Sequence, residues 1–260
     1  MNIQPISVID LGIAAFLVCI LALVNHRTSP QLSKDIFIAM IRLVLQLSLI
    51  ALVLKYVFAE RNILLIGGLG LVMVALAGYE VKNRISTGRT LAGTFWVSSF
   101  SMFISSYVIC IFCLLTMIKA DPWYHPQYAI PLLGMLLGNT LTGVSLSLNR
   151  LRDSFKVQRT LIESRLMLGE DIWQATLSQR REAMTSALIP TINSMAAAGI
   201  VSLPGMMTGQ ILAGADPELA VRYQIMIFLL IAAGTGFGTY LATYLGSKQL
   251  FDDRERLISL

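Results

Sequence analysis

Between Ala183 and Ala215 the chain runs without a single Lys, Arg, His, Asp or Glu, yet Pro190, Asn193, Gly199, Pro204 and Gly205 interrupt the stretch. A helix crossing a hydrocarbon core of about 30 Å needs only about 20 apolar residues, so the tract is too long and too broken for a plain anchor. Non-helical backbone at membrane depth persists only where protein or a water-filled cavity covers it. Two readings fit the tract: breaks that line a pathway or a packed helix interface, or one long helix with an irregular extracytoplasmic end.

The whole chain shares this apolar character. Of its 260 residues 55% are hydrophobic and 13% charged, the balance of a polytopic all-α membrane protein with no separate water-soluble domain. Spans are expected at Ile6–Val24, Ile36–Leu54, Ile63–Tyr79, Phe95–Ile118, Ala129–Leu148, Ile189–Met207 and Tyr223–Leu245, about seven helices in a single transmembrane domain covering residues 1–260. The first is expected to stay as an anchor, because no Lys or Arg precedes it and Asp10 sits near its start, unlike a cleavable signal.

Orientation follows from the basic residues. The connections Asn25–Asp35, Glu80–Thr94 and Asn149–Glu182 and the tail after Gly246 carry 15 Lys and Arg, against Lys55, Arg61, Lys119 and Arg222 on the other side. That asymmetry places the N-terminus outside and the C-terminus in the cytoplasm. Trp123, Tyr124 and Tyr128 then belong to the outer aromatic belt. The net charge of +5 is explained by orientation, and no nucleic-acid partner is expected because the charge forms no single patch.

The connection Asn149–Glu182 is long, basic and patterned. Leu151, Phe155, Ile162, Leu166, Trp173 and Leu177 recur at steps that put side chains on one helical face. Gly169 breaks the run, and Glu170 and Asp171 suit the first turn of a second helix. Two helical pieces joined by a bend are predicted. Periodicity alone leaves open an interfacial helix lying on anionic lipid.

The segment Glu163-Ser164-Arg165-Leu166-Met167-Leu168-Gly169 resembles the EAA-type coupling loop of ABC transporter permeases, a short helix that docks on an ATP-binding subunit. Glu163, Ser164 and Gly169 match that pattern. Arg165 replaces a small residue, and Pro190 lies further downstream than the importer proline. Longer strings run from Pro131 to Gly143, from Pro190 to Gly199 and from Leu203 to Gly214. They resemble the FetB-type ABC permease family over nearly the whole chain.

The resemblance implies a multi-pass permease of the bacterial inner membrane that exports iron or another metal. It also implies a cytoplasmic FetA-type ATP-binding subunit that holds ATP and Mg, and two permease chains paired with two ATPases. Glu163, Ser164, Leu166, Met167, Leu168 and Gly169 are then the coupling residues. The chain has no Gly-x-x-x-x-Gly-Lys-[Ser/Thr] phosphate loop, so hydrolysis is expected in the partner and no cofactor in this chain. Members of the family are also linked to aluminium tolerance and to nucleotide sugars, so a non-metal solute is the alternative cargo.

Polar side chains in hydrocarbon are costly without partners, which makes them candidates for a pathway. Asn139, Thr140, Thr142, Asn193 and Ser194, with Met195 and Pro204, form that set. Each has a structural alternative, since hydroxyls bond their own helix and Asn bridges neighbours. Cys110 and Cys113 form a C-x-x-C within a span, with Met195, Met206 and Met207 as further sulfur. One such pair without a second is not a metal site, and none is assigned. Small residues four apart, Gly134 with Gly138 and Gly234 with Gly238, mark close helix packing, mostly within the chain. Rival classes are an ATP-independent secondary carrier, for which no internal repeat is visible, and a non-transporting scaffold. An intramembrane enzyme fares worst, since no H-E-x-x-H motif or nucleophile–base pair is found.

Overall fold

The computed structural model describes residues 6–60, 62–85, 91–252 and 254–258. Arg61 and Arg89, both part of the charge asymmetry, lie outside the described residues. Helices account for nearly all of the fold, and among the described residues there are only two isolated β-bridges and no strand. Among the described residues six helices are long and apolar enough to cross a membrane.

The chain divides into two compact units. The first comprises Met1–Arg61 with Leu212–Gly214. Its helices α1 (Val8–His26) and α2 (Pro30–Glu60) form a helical hairpin through a three-residue link. Ser7 caps α1: its hydroxyl accepts from the Asp10 amide at 3.3 Å while the Asp10 carboxylate accepts from the Ser7 amide at 2.8 Å, a reciprocal capping box. Asp10 is thus a helix-end charge. Both helices are apolar on every side, with mean hydropathy 2.5 in their best windows, as expected of lipid-facing spans.

The second unit holds α3 (Ile63–Arg84), then α4 (Leu91–Met102) and α5 (Val108–Cys113), followed by α6 (Pro126–Val157). Next come the short α7 (Arg159–Met167) and α8 (Ile172–Ala175), then α9 (Leu177–Ala197), α10 (Gly205–Leu212) and α11 (Pro217–Gln249). The α4–α5 span is continuous but carries two π-helical segments, Phe103–Tyr107 and Leu114–Ile118. At 1.5 Å per residue, α6 and α11 are each roughly 50 Å long, so both project well beyond a hydrocarbon core.

The expected sixth span, Ile189–Met207, is not one helix. α9 ends at Ala197, and a tight loop follows in which Gly199 has φ +81° and its amide donates to the Ser202 carbonyl at 2.9 Å. Chain then re-enters a helix at Gly205. α9 has 21 residues, and it begins a dozen residues earlier than the expected span. Arg180, Arg181 and Glu182 in its first turns keep it out of the set of six apolar helices.

Packing of α6 on α11 is the centre of the unit, with α9 against both. It rests on small residues. A Cβ on Gly143 would meet Thr235 Cγ2 at 2.6 Å, one on Gly238 would meet Thr140 Cγ2 at 2.5 Å, and one on Gly246 would meet Leu148 Cδ2 at 2.6 Å. Thr235, Thr239, Thr243 and Ser247 are all buried along one stripe of α11, and such small faces let backbones approach closely. Gly234 and Gly238 pack inside the chain as expected, whereas a Cβ on Gly138 would touch nothing within 4 Å.

Gly238→Val is therefore expected to lower stability by roughly 1–3 kcal/mol through overpacking. Gly236→Ala on the same helix, where a Cβ meets open space, raises it by up to about 1 kcal/mol by removing helix-interior glycine. Thermal unfolding midpoints in detergent check both.

Candidate functional site

Residues 149–182 fold as the sequence pattern predicts, into helical pieces around a bend. α6 runs on to Val157, α7 follows, Gly169 turns the chain with φ +92°, and α8 begins after Asp171. Asp171 is the N-cap: its Oδ1 accepts from the Gln174 amide at 2.7 Å, satisfying a donor that the helix start leaves free. Gly169 is required because a side chain at that φ would strain the backbone.

The segment is fastened to the membrane helices on several sides. Leu151, Phe155, Ile162, Ala175 and Ala183 form a buried apolar cluster with Leu250, Phe251 and Leu257 of the C-terminal tail, and Leu166 and Ile172 pack against it. Gln179 Nε2 donates to Gln158 Oε1 at 2.7 Å. Trp173 stacks face to face on Tyr244 of α11 at 4.1 Å, with the Arg180 guanidinium 5.2 Å from its ring and Arg180 Nη2 donating to its carbonyl at 2.5 Å. Glu182 accepts from both Arg150 and Ser154. The tail folds back as a small hairpin, pairing Phe251 with Leu257, and the Leu257 carbonyl accepts from Arg159 Nη2 at 3.3 Å.

Among the six expected coupling residues the structure separates two groups. Glu163 is tied to Arg159 at 2.8 Å, the Ser164 hydroxyl donates to the Thr160 carbonyl at 2.7 Å, and Leu166 leans on the cluster. Met167 and Leu168 project freely, 81% and 85% exposed, and Gly169 is exposed beside them. The tip of the braced bend is thus an exposed apolar pair.

The pathway candidates also divide. Thr140 is fully buried and accepts from Ser106 Oγ at 3.1 Å, so it is a packing residue between α6 and the first π-helical segment. Asn139, Thr142, Asn193 and Ser194 are exposed. Asn139, Thr142 and Ser194 bond carbonyls of their own helix, those of Met135, Gly138 and Pro190. The pairing of Arg150 and Ser154 with Glu182 and the approach of Gly143 to the Ala187 carbonyl make α6 and α9 antiparallel. From that crossing Asn139 lies about 6 Å along α6 and Asn193 about 9 Å along α9 in the same direction. The two exposed polar sets therefore share a depth. Met195 and Pro204 are half-buried, and Pro204 immediately precedes α10, its carbonyl accepting from the Thr208 amide at 3.0 Å.

Cys110 and Cys113 are buried and unlinked, and the Cys110 thiol faces the Ala129 carbonyl at 3.7 Å. Among the described residues no three of His, Cys, Asp and Glu gather as a metal site. Two features escaped the sequence reading. The hydroxyl stripe of α11 was visible as Thr and Ser at steps of four. The packing of the tail on α7 had only Phe251 and Leu257, set among charges, as its signal.

These observations define a multi-pass, all-α membrane protein with a braced, exposed bend. The chain belongs to the uncharacterised protein family UPF0014, whose profile matches residues 8–251. It is 32% identical over 259 residues to the Escherichia coli protein named probable iron export permease protein FetB, covering 99% of this chain and 97% of that one. It is 34% identical over 236 residues to Protein ALUMINUM SENSITIVE 3 of Arabidopsis thaliana, covering 89% and 83% of the two chains. A UPF0014 membrane protein of Synechocystis sp. is 37% identical over 218 residues, covering 84% and 83%. No solved structure matches the chain.

Phe155→Ala is expected to cost roughly 3–5 kcal/mol by opening the cluster under the bend. Met167→Ala, with little packing to lose, changes stability by less than about 0.5 kcal/mol; chemical denaturation in detergent distinguishes them. The tail has its own pH signature. Donation from the Arg256 amide foremost holds the Asp252 carboxyl below its ordinary range, against some desolvation and with help from the Arg256 side chain and the Arg254 amide. A lowered folded pKa gives stability that is present above the unfolded value and lost as pH falls through the folded one. Amide protection at Arg254 and Arg256 is thus expected to persist through neutral and mildly acidic pH and to fail only below the usual aspartate range.

Proposed function

We propose that this chain is the membrane-spanning permease subunit of an ABC transporter that exports iron or another metal. A separate FetA-type subunit in the cytoplasm binds ATP and Mg and supplies the energy. The observation that carries this reading is the braced bend: Met167, Leu168 and Gly169 stand exposed on a segment locked to α6, α9, α11 and the tail. A partner gripping that point moves the attached helices with it. The name carried by the Escherichia coli relative supports export of iron.

In this reading the N-terminus is outside and the C-terminus cytoplasmic, with α9 crossing as the sixth of seven helices. The basic residues of 149–182 then face the cytoplasm, consistent with the charge asymmetry. Two copies pair with two ATP-binding subunits, as the resemblance to ABC permeases implies, and the exposed polar side chains of α6 and α9 at one depth suit a shared pathway better than lipid. Asn139, Thr142, Asn193 and Ser194 line that pathway. Transport requires two packings of these helices between which the ATPase discriminates, since a partner shifts only states that it binds unequally.

The test pairs Met167→Glu with Leu168→Glu. Both side chains are exposed, so insertion and thermal midpoint are expected to stay at wild-type values. Affinity for the co-expressed ATP-binding subunit is expected to fall at least roughly tenfold, the effect of about 1.4 kcal/mol. Retained co-purification together with retained coupling of ATP hydrolysis to efflux in vesicles would remove the bend from the mechanism.

A further inference from the structure

A cavity of about 240 Å³ lies where α6 and α11 begin and α10 crosses beside them. Each of the three helices turns one methionine toward it: Met135 of α6, Met206 of α10 and Met226 of α11. The spacing explains this. Tyr128, Pro131, Leu132 and Met135 are successive residues of one α6 face, Met206 and Gln210 are one turn apart on α10, and Leu219, Tyr223, Met226 and Ile227 share a face of α11, each at helical steps. α10 is pinned in place from behind, because the Met207 amide donates to Gln224 Oε1 of α11 at 3.2 Å within the buried interior.

Oxygen donors complete the lining. Pro131 has no amide hydrogen, so it cannot bond the carbonyl of Gln127, four residues earlier in the helix; Gln127 lines the same cavity. Gln210 lines it too, and its Oε1 is buried without a hydrogen-bond partner among the described residues. No carboxylate, imidazole or thiol is among the lining residues.

We propose that this cavity binds a soft monovalent cation of the Cu(I) or Ag(I) type. Thioether sulfur is a soft donor that selects such ions, whereas harder divalent ions need imidazole or carboxylate. A monovalent ion also matches the neutral donor set, since each further uncompensated charge away from water adds several kcal/mol. Methionine is flexible enough for three sulfurs to close on one ion. The site belongs to this chain alone and stands whether or not an ATPase drives it.

Silver(I), a redox-inert probe, tests the site on the purified full chain in detergent without any ATPase. Wild type is expected to bind roughly one equivalent more than Met135→Leu/Met206→Leu/Met226→Leu, and silver is expected to raise the melting temperature of wild type only. Cys19, Cys110 and Cys113 are present in both proteins, so the difference isolates the methionines. Leucine nearly conserves methionine's volume, which keeps the fold. Should the triple variant fail to fold, each single variant is expected to weaken silver binding roughly tenfold. Equal silver content in wild type and triple variant, or single variants that all keep wild-type affinity, would overturn the site.

Discussion

Close approach of α6 and α11 is the contact on which the second unit depends. Lipid gives helices no hydrophobic reason to associate, so van der Waals contact between small faces has to do it. Gly143, Gly238 and Gly246 each sit where a methyl group would collide with the facing helix. With that contact in place, α9 has two surfaces to pack on and the π-helical segment Phe103–Tyr107 settles Ser105 and Ser106 into the same interior. Irregular backbone is confined to places that protein covers or that bond themselves, as the loop after Ala197 does through Gly199 and Ser202.

The exposed bend is joined to that bundle by apolar, stacking and polar contacts at once. Phe155 and Ile162 lie fully buried beneath it, Trp173 fixes it to α11, and Glu182 fixes the start of α9 to α6. Together they leave α7 and α8 little freedom relative to the helices they join. The freedom that remains is at the exposed tip.

Much of this was legible in the sequence. Leu151, Phe155 and Ile162 at helical spacing revealed the buried face of the connection, and Gly169 marked its turn, because both are local properties. The sixth span was misplaced for a physical reason. Hydropathy favours the uncharged stretch around Gly199 and Pro204, while the polar first turns of α9 are hidden by pairing with α6 and α8. Thr140 and Asn139 looked alike as polar residues in a span. Only the facing Ser106 makes one a packing residue and leaves the other exposed. The fold-back of the tail depends on contacts far apart in the chain, for which no local pattern exists. Cys110 and Cys113 caught the eye as sulfur, whereas the methionines that share a cavity come from three separate helices.

The stacking of Trp173 on Tyr244, with the Arg180 guanidinium near its ring, has a use beyond anchoring. An indole held parallel to a phenol and beside a guanidinium emits differently from one released to water. Because the other two tryptophans, Trp96 and Trp123, lie outside this segment, the chain carries its own optical gauge of whether α8 stays seated on α11.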